Sequence, residues 1–529
     1  MVNDGSVKLM EAPAPKVKEN FVIVETMYSV VSAGTERGLT SFGRKNLIQK
    51  CLERPDQVRK VTEKMSTDGI LTTVESAFNK LAEPMPMGYS GVGKVVECGR
   101  GVTKVQAGDI VAMVGQAYHS EVNRVNQNLI VEIPQGDKDI RQYAFAALGA
   151  IALTGIHQAE VVSGETIAII GMGLLGHITA RILNAYGCDV IGFDISDKSI
   201  PGTKLKAFVN SRDDNAEHIV KSLTMDRGVD KVIITASTNS NAPMDLAAAI
   251  VRDRGIICMV GVTQMNIDRR PYYEKELCFK LSRSYGPGRY DTDYEEKGFD
   301  YPLGYVRFTE GRNVEEFVRL ISEGRIQISD IITHVIDFDK AQNAYEIITT
   351  NKNQERYIGI LLKYKDYPGK WASKIDHKVS KITKDGTINV GLIGAGNFTR
   401  STLLPIMSGT GLFHFRGIAT TGGIGSSQAT SYTPFEYSTN DYQELLKDES
   451  IDLVTITTNH NTHGRFVVEA LKAGKHVYCE KPLCLTEKEL KQIQETYEQS
   501  NGELFCGMNR RYAPLIQDIR KQLHTTEVP

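Results

Sequence analysis

The chain has 529 residues, 41% hydrophobic and 24% charged, with a formal net charge of −2. That length exceeds what one core serves, so three or four domains are expected, and the near-neutral charge gives no electrostatic reason for a nucleic acid or a membrane as partner. No apolar run has the length of a membrane span, Met1 to Ala14 lack a signal-peptide core, and the eight cysteines are scattered without a C-x-x-C pair. These features point to buried free thiols in a cytoplasmic protein rather than to a disulfide framework or a zinc ribbon.

In chain order, residues 1–135 carry short alternating runs such as Asn20-Phe-Val-Ile-Val-Glu25 and Gly91-Val-Gly-Lys-Val-Val-Glu97, bounded by turn residues as in Gln106-Ala-Gly-Asp109. This pattern predicts a β-rich, barrel-like domain. A charged, helix-like insertion spans Lys45 to Glu83. From 136 to 300 strands alternate with helices (Thr166–Ile170, Val190–Asp194, Lys231–Thr235, Gly255–Val260), the rhythm of a parallel, doubly wound α/β sheet. Residues 301–363 end in the strand Tyr357 to Lys363 and are expected to complete the β-rich domain. The polar, turn-rich stretch 364–386 reads as a linker. A second βαβ series occupies 387–509, followed by a helix-like run from Ala513 to Leu523.

Two glycine-rich turns each follow an apolar strand and open a helix: Gly171-Met-Gly173-Leu174-Leu175-Gly176 and Gly394-Ala-Gly396-Asn397-Phe398-Thr399. Strand, motif and helix in that order mark a dinucleotide site. The first Gly makes the turn, the second admits a pyrophosphate, and the helix N-terminus supplies N–H groups and positive dipole. In the first unit Asp194 lies 23 residues beyond Gly171, where a carboxylate accepts from both ribose hydroxyls and repels a 2′-phosphate. NAD is therefore the expected cofactor there. The second unit has Thr399 in place of the third Gly, and its next strand ends in Thr420-Thr421 instead of an acid, so NAD or NADP stays open.

With its β-rich domain before the nucleotide-binding one, residues 1–363 resemble the medium-chain alcohol dehydrogenase superfamily, whose first domain is GroES-like. Further matches are Met87-Gly-Tyr-Ser-Gly-Val-Gly-Lys-Val-Val-Glu97, Gln106-Ala-Gly-Asp-Ile-Val111 and Leu148 to His157. Zinc-dependent members carry a Cys, a Gly-His-Glu and a further Cys or acid. The corresponding places here hold Ser32, Gly88-Tyr89-Ser90 and Leu153, and the four-cysteine structural lobe is missing. Ser, Tyr and Leu do not replace thiolate or imidazole, so no zinc is expected. Carbonyl polarisation then falls to hydrogen-bond donors, with Tyr89 the first choice and Thr35, Glu36 and Ser90 nearby. Arg283 and Arg289, in Arg283-Ser-Tyr-Gly-Pro-Gly-Arg-Tyr-Asp291, are candidates for holding an acidic or phosphorylated substrate.

In the second unit Ile451 to His463 runs from a strand into a polar turn, and Gly474-Lys-His-Val-Tyr-Cys-Glu480-Lys481-Pro482 follows. Together with Gly507-Met-Asn-Arg-Arg-Tyr-Ala-Pro514, this closely resembles the glucose–fructose oxidoreductase and inositol dehydrogenase (Gfo/Idh/MocA) family. The resemblance implies that Lys481 contacts substrate and assists proton transfer, and that Thr458, His463 and Glu480 border the cofactor. It also implies a large antiparallel sheet domain after this point. Since the chain stops at Pro529, residues 510–529 are expected to be only the start of a truncated substrate domain.

The joined order resembles two-domain bacterial oxidoreductases of polysaccharide and sugar-nucleotide metabolism. It implies NAD(P)-dependent hydride transfer on a sugar, polyol or sugar derivative, and leaves a homo-oligomer open. Two alternatives stand beside it: a zinc-independent enone or quinone reductase working through the first unit, and a non-catalytic dinucleotide-binding scaffold or sensor.

Overall fold

The computed structural model describes residues 5–44, 85–137, 139–196, 202–366, 371–377, 386–431 and 433–525. The charged insertion expected at 45–83 lies outside them. Two compact units form. The larger comprises Val17–Phe42 and Pro86–Pro368, and the smaller takes the described residues of Met1–Lys16, Gly43–Met85 and Gly369–Pro529.

The larger unit contains two sheets. The first is built from β1 (Phe21–Val31), β2 (Ser90–Cys98), β3 (Ile110–Val114), β4 (Val122–Asn126) and β5 (Ile130–Glu132). The second is made of β6 (Thr166–Ile170), β7 (Asp189–Asp194), β8 (Ala207–Asn210), β9 (Val229–Ile234), β10 (Val251–Met259) and β11 (Cys278–Leu281). Strands β12 (Ile332–Asp337) and β13 (Gly359–Lys363) return to the first sheet, whose order is β12-β13-β1-β2-β3-β5 with β4 on β1. Thus β13 closes against β1 with Val30 opposite Leu361, so residues more than 300 positions apart complete one β-rich layer. The second sheet has the order β11-β10-β9-β6-β7-β8, and each of its strand pairs is parallel. Its central strand β6 is apolar and buried from Ile167 onward, as a strand covered by helices on both faces requires.

In the smaller unit β14 (Lys374–Asp376), β15 (Ile388–Ile393), β16 (Phe413–Ala419), β17 (Tyr437–Thr439), β18 (Leu453–Ile456), β19 (His476–Glu480) and β20 (Leu504–Gly507) form one sheet. The order is β14-β17-β16-β15-β18-β19-β20. Only β14 runs antiparallel, pairing Ile375 with Ser438, and it arises within the stretch expected to be a linker. Residues 11–16 also lie along this unit: Ala14 N–H donates to the Ala372 carbonyl at 2.9 Å and Lys16 N–H to the Thr421 carbonyl at 3.0 Å.

In both nucleotide-type sheets, the second parallel but for β14, the strand order reverses at the strand preceding a glycine-rich turn, β6 or β15. The crevice beyond the carboxyl ends at such a reversal is where doubly wound sheets take their ligands.

The helix Ala146–Gln158 crosses the core of the larger unit, and a Cβ built on Gly149 would stand 2.2 Å from the Phe317 ring. Phe317 is fully buried, so the ring has nowhere to go. Gly149→Val is expected to cost about 1–3 kcal/mol through overpacking. Hydrogen–deuterium exchange in denaturant, read on peptides from 146–158 and 310–322, measures it, and an unchanged midpoint there would contradict this packing.

Candidate functional site

Each unit carries its own crevice, and backbone geometry shows what each glycine does. In the larger unit Gly171 has φ +107°, and a Cβ on it would meet the Ala236 nitrogen at 2.5 Å. Gly173 has open space around the position of a Cβ, whereas a Cβ on Gly176 would lie 2.2 Å from the Gly171 carbonyl oxygen. Turn, open approach and tight helix–strand packing are the three demands of a dinucleotide turn. The helix Leu174–Ala185 starts within the motif, so Leu174 and Leu175 supply the first helical N–H groups. Asp194, at the end of β7, accepts from Met172 N–H at 2.7 Å and Ser196 N–H at 3.0 Å. A carboxylate has about four acceptor sites, so lone pairs remain for a ribose.

Of the places where zinc-dependent dehydrogenases carry ligands, Ser32 and Tyr89 belong to one connected polar array. Tyr89 donates to Ser32 Oγ at 2.8 Å. Glu36, 1% exposed, accepts from Ser32 N–H at 3.2 Å and from Tyr345 at 2.6 Å, and His119 Nε2 lies 3.3 Å from both its oxygens. His119 Nδ1 continues to Ser29 Oγ at 2.7 Å, which meets Tyr364 at 2.8 Å. Ser90 donates to the Ala144 carbonyl at 2.6 Å and accepts from Ala147 N–H at 3.0 Å, while Leu153 is core. The donor set therefore does not fit zinc: the hydroxyls are committed to protein partners, one of the three places is apolar, and no thiolate or imidazole stands at any of them. Among the described residues no group of three or more His, Cys, Asp or Glu is placed to hold a metal. Burial raises the Tyr89 phenol above its usual range, and the Glu36 charge adds to this against the hydrogen bonds with Ser32 and Thr35. Tyr89 thus stays protonated, with its one O–H given to Ser32, so a substrate carbonyl would receive that proton only by taking the place of Ser32. His119, Tyr345 and Ser29 carry no motif, and only the fold brings them to Glu36.

Tyr285 stacks on Tyr89 with centroids 6.2 Å apart, and the Arg289 guanidinium lies 5.1 Å from the Tyr285 centroid. Arg289 is paired with Glu295, and Arg283 packs over Tyr290 at 4.6 Å. Beside this segment Glu310 is fully buried with neither carboxyl oxygen hydrogen-bonded. Burial, with a smaller push from Glu295, raises its pKa to about 8 against the pull of Arg289.

In the smaller unit the crevice is a cleft of about 790 Å³. Gly394, φ +95°, makes the turn, where a Cβ would stand 2.8 Å from the Thr457 carbonyl, and the nearest atom to a Cβ on Gly396 is 4.0 Å away. A side chain cannot occupy the place that Gly176 takes in the larger unit. Here the third position is Thr399, fully buried, and the helix opens with a wider π turn, Thr399–Leu403. The cleft is lined by Gly394, Gly396, Asn397, Phe398, Thr458, His463, Glu480 and Lys481, so the sequence candidates of this unit converge. His463, 1% exposed, spans the Pro482 carbonyl (Nδ1, 2.7 Å) and the Thr458 carbonyl (Nε2, 3.0 Å), tying the Glu480-Lys481-Pro482 turn to the end of β18. Glu480 accepts from Tyr478 at 2.7 Å and from Lys481 N–H at 3.3 Å, and the Lys481 side chain is left exposed at the rim. Asn440 and Thr420 also border the cleft. The sequence singled out Thr420 only as a missing acid and did not mark Asn440.

Residues 388–508 match the family described as "Oxidoreductase family, NAD-binding Rossmann fold", and residues 175–297 match "Zinc-binding dehydrogenase". The chain is 32% identical over 147 residues to an inositol 2-dehydrogenase of Salmonella typhimurium, covering 27% of this chain and 42% of that protein. It is 22% identical over 314 residues to a probable D-xylulose reductase A of Emericella nidulans, covering 52% and 80%. Galactitol-1-phosphate dehydrogenase from Escherichia coli superposes with a TM-score of 0.51 at 18% identity, over 68% of this chain and 98% of that one. At that identity the likeness shows the fold alone, a medium-chain dehydrogenase architecture in the larger unit. The chain spans less than half the length of the inositol dehydrogenase it matches.

Glu310 gives a pH prediction. Its folded pKa, about 8, is raised above the ordinary carboxyl value, so the folded state holds a proton that the unfolded chain has lost. Its contribution is complete at acid pH and falls, at about 1.4 kcal/mol per unit, as pH rises from the unfolded carboxyl value through the folded one. Glu310→Gln is expected to flatten the larger unit's stability between about pH 5 and 8. Parallel curves for the two proteins in pH-resolved urea titrations would contradict it.

Proposed function

We propose that this chain, in which a medium-chain dehydrogenase unit precedes a Rossmann unit of the Gfo/Idh/MocA type, is an NAD(P)-dependent oxidoreductase acting on a sugar, polyol or sugar derivative. The observation that carries this reading is the second cleft. Its glycine turn, its buried His463 and its Glu480-Lys481-Pro482 turn meet around one cavity, in a stretch that matches an oxidoreductase family. Substrate class rests on the relatives, an inositol dehydrogenase and a xylulose reductase. A bound nicotinamide supplies a hydride acceptor or donor. Lys481, exposed at the rim of the same cleft, donates a proton to the substrate oxygen or takes one from it. Glu480 and His463 fix the turn that carries it.

The first unit, on this reading, binds NAD through Gly171, Gly173, Gly176 and Asp194 and works without zinc, with Tyr89 as carbonyl donor. Support for the metal-free part is the chemistry of the donor set, in which Ser32, Ser90 and Tyr89 are bonded to protein groups. The resemblance of the joined order to two-domain bacterial oxidoreductases supports a place in polysaccharide or sugar-nucleotide metabolism.

The test is hydride transfer, followed as NAD(P)H absorbance, across inositols, free sugars and sugar nucleotides. Lys481→Ala should lower turnover of an accepted substrate by roughly 10²-fold or more while leaving the thermal midpoint unchanged. Near-normal turnover would return Lys481 to a surface role. Elemental analysis should find no stoichiometric zinc, and one zinc per chain would overturn the metal-free reading.

A further inference from the structure

We propose that residues 11–16 build the adenosine end of the second cleft by fixing which face of the Asn440 amide is offered to a ligand. This rests on the reading of that cleft as a dinucleotide site. The segment Glu11-Ala-Pro-Ala-Pro-Lys16 has prolines at 13 and 15, which hold the chain extended and leave Ala14 as the one backbone donor between them. It is fastened at every step. Ser427 Oγ donates to the Glu11 carbonyl at 2.9 Å, Ala14 N–H to the Ala372 carbonyl at 2.9 Å, and Lys16 N–H to the Thr421 carbonyl at 3.0 Å. Lys16 Nζ pairs with Asp441 at 3.2 Å. The approach is close enough that a Cβ on Gly423 would fall 2.0 Å from the Pro13 carbonyl oxygen.

Asn440 Nδ2 donates to the Ala14 carbonyl at 2.8 Å. A carbonyl oxygen only accepts, so the amide must turn its NH₂ toward the segment, and its own oxygen is left over. That oxygen is buried and has no partner. Thr420 Oγ1, at the end of the neighbouring strand, is likewise buried and unpartnered. Both residues line the cleft, away from Glu480 and Lys481 on the other side of the β15–β18 reversal. The Thr420 hydroxyl can donate or accept, but the Asn440 oxygen only accepts, so this end of the cavity asks for a ligand with a donor. A pyrophosphate has none at neutral pH, whereas adenosine offers ribose hydroxyls and the adenine amino group. The phosphates belong to the glycine turn and the adenosine to Asn440 and Thr420.

Hydrogen–deuterium exchange on the full chain tests this with NADH, ADP-ribose and nicotinamide mononucleotide as probes, because it reads the two units separately. In the parent protein NADH and ADP-ribose should protect peptides around 394–399 and 419–440. Asn440→Leu, and separately a chain lacking residues 2–15, should weaken ADP-ribose at these peptides at least tenfold. Protection at 171–176 should be unchanged, and nicotinamide mononucleotide binding at the second cleft should change less than twofold. If NADH protects 394–399 but the variants bind ADP-ribose within twofold of the parent, the role of the segment is overturned while the cleft reading stands. If NADH leaves 394–399 of the parent unprotected, the cleft reading falls and takes the proposal with it. Asn440→Leu alone decides the matter if the shortened chain does not fold.

Discussion

Everything at the two crevices depends on how near a helix can start to the strand before it. In the larger unit the turn after β6 brings the Gly171 carbonyl within 2.2 Å of where a Gly176 Cβ would sit. Only a residue without a side chain tolerates this, and the helix N-terminus then points its free N–H groups straight into the crevice. The smaller unit meets the same constraint with Thr399 and yields by opening the first turn. Gly394 stays indispensable there, since its positive φ and the Thr457 carbonyl 2.8 Å from the position of a Cβ leave no room for an alternative.

A second constraint is the accounting for buried polar groups. Next to Ser32, one of the places where zinc-dependent dehydrogenases carry metal ligands, this chain buries a carboxylate that accepts from a backbone N–H and a tyrosine, with a histidine ring beside it. The network satisfies its own members and holds Ser32 beneath the Tyr89 hydroxyl. Glu310 is the opposite case. It is buried with no partner, and its environment answers by keeping it protonated.

The fold and the cofactor turns were legible because they depend on local sequence: apolar strand, glycine spacing, helix. Lys481 and His463 could be named because the motifs around them, Ile451 to His463 and Gly474 to Pro482, resemble a known family. Other features depend on contacts between distant residues, and no periodicity carries them. Glu36 finds Tyr345 across 309 positions, and β13 reaches β1 only after the whole nucleotide-binding sheet has been laid down. The stretch 364–386 read as a linker because three residues of edge strand, Lys374–Asp376, are too few to alternate visibly in a polar context. Asn440 escaped notice for a related reason: an Asn before an Asp looks like ordinary helix-capping sequence, and Asp441 does cap the next helix.

The pairing of Ala14 with Ala372 and of Lys16 with Thr421 has a consequence for the order in which the protein is made. Domains generally fold as units as they leave the ribosome, the N-terminal one first. Here residues 11–16 emerge ahead of the larger unit, yet their partners are synthesised only after it. Residues 11–16 thus find their place only after residues 372 and 421, more than 350 positions later, have been made. The smaller unit therefore closes only after translation has passed its own strands. A chain interrupted between residues 366 and 371 would leave that leading segment with nothing to pair against, even though the larger unit had all its strands.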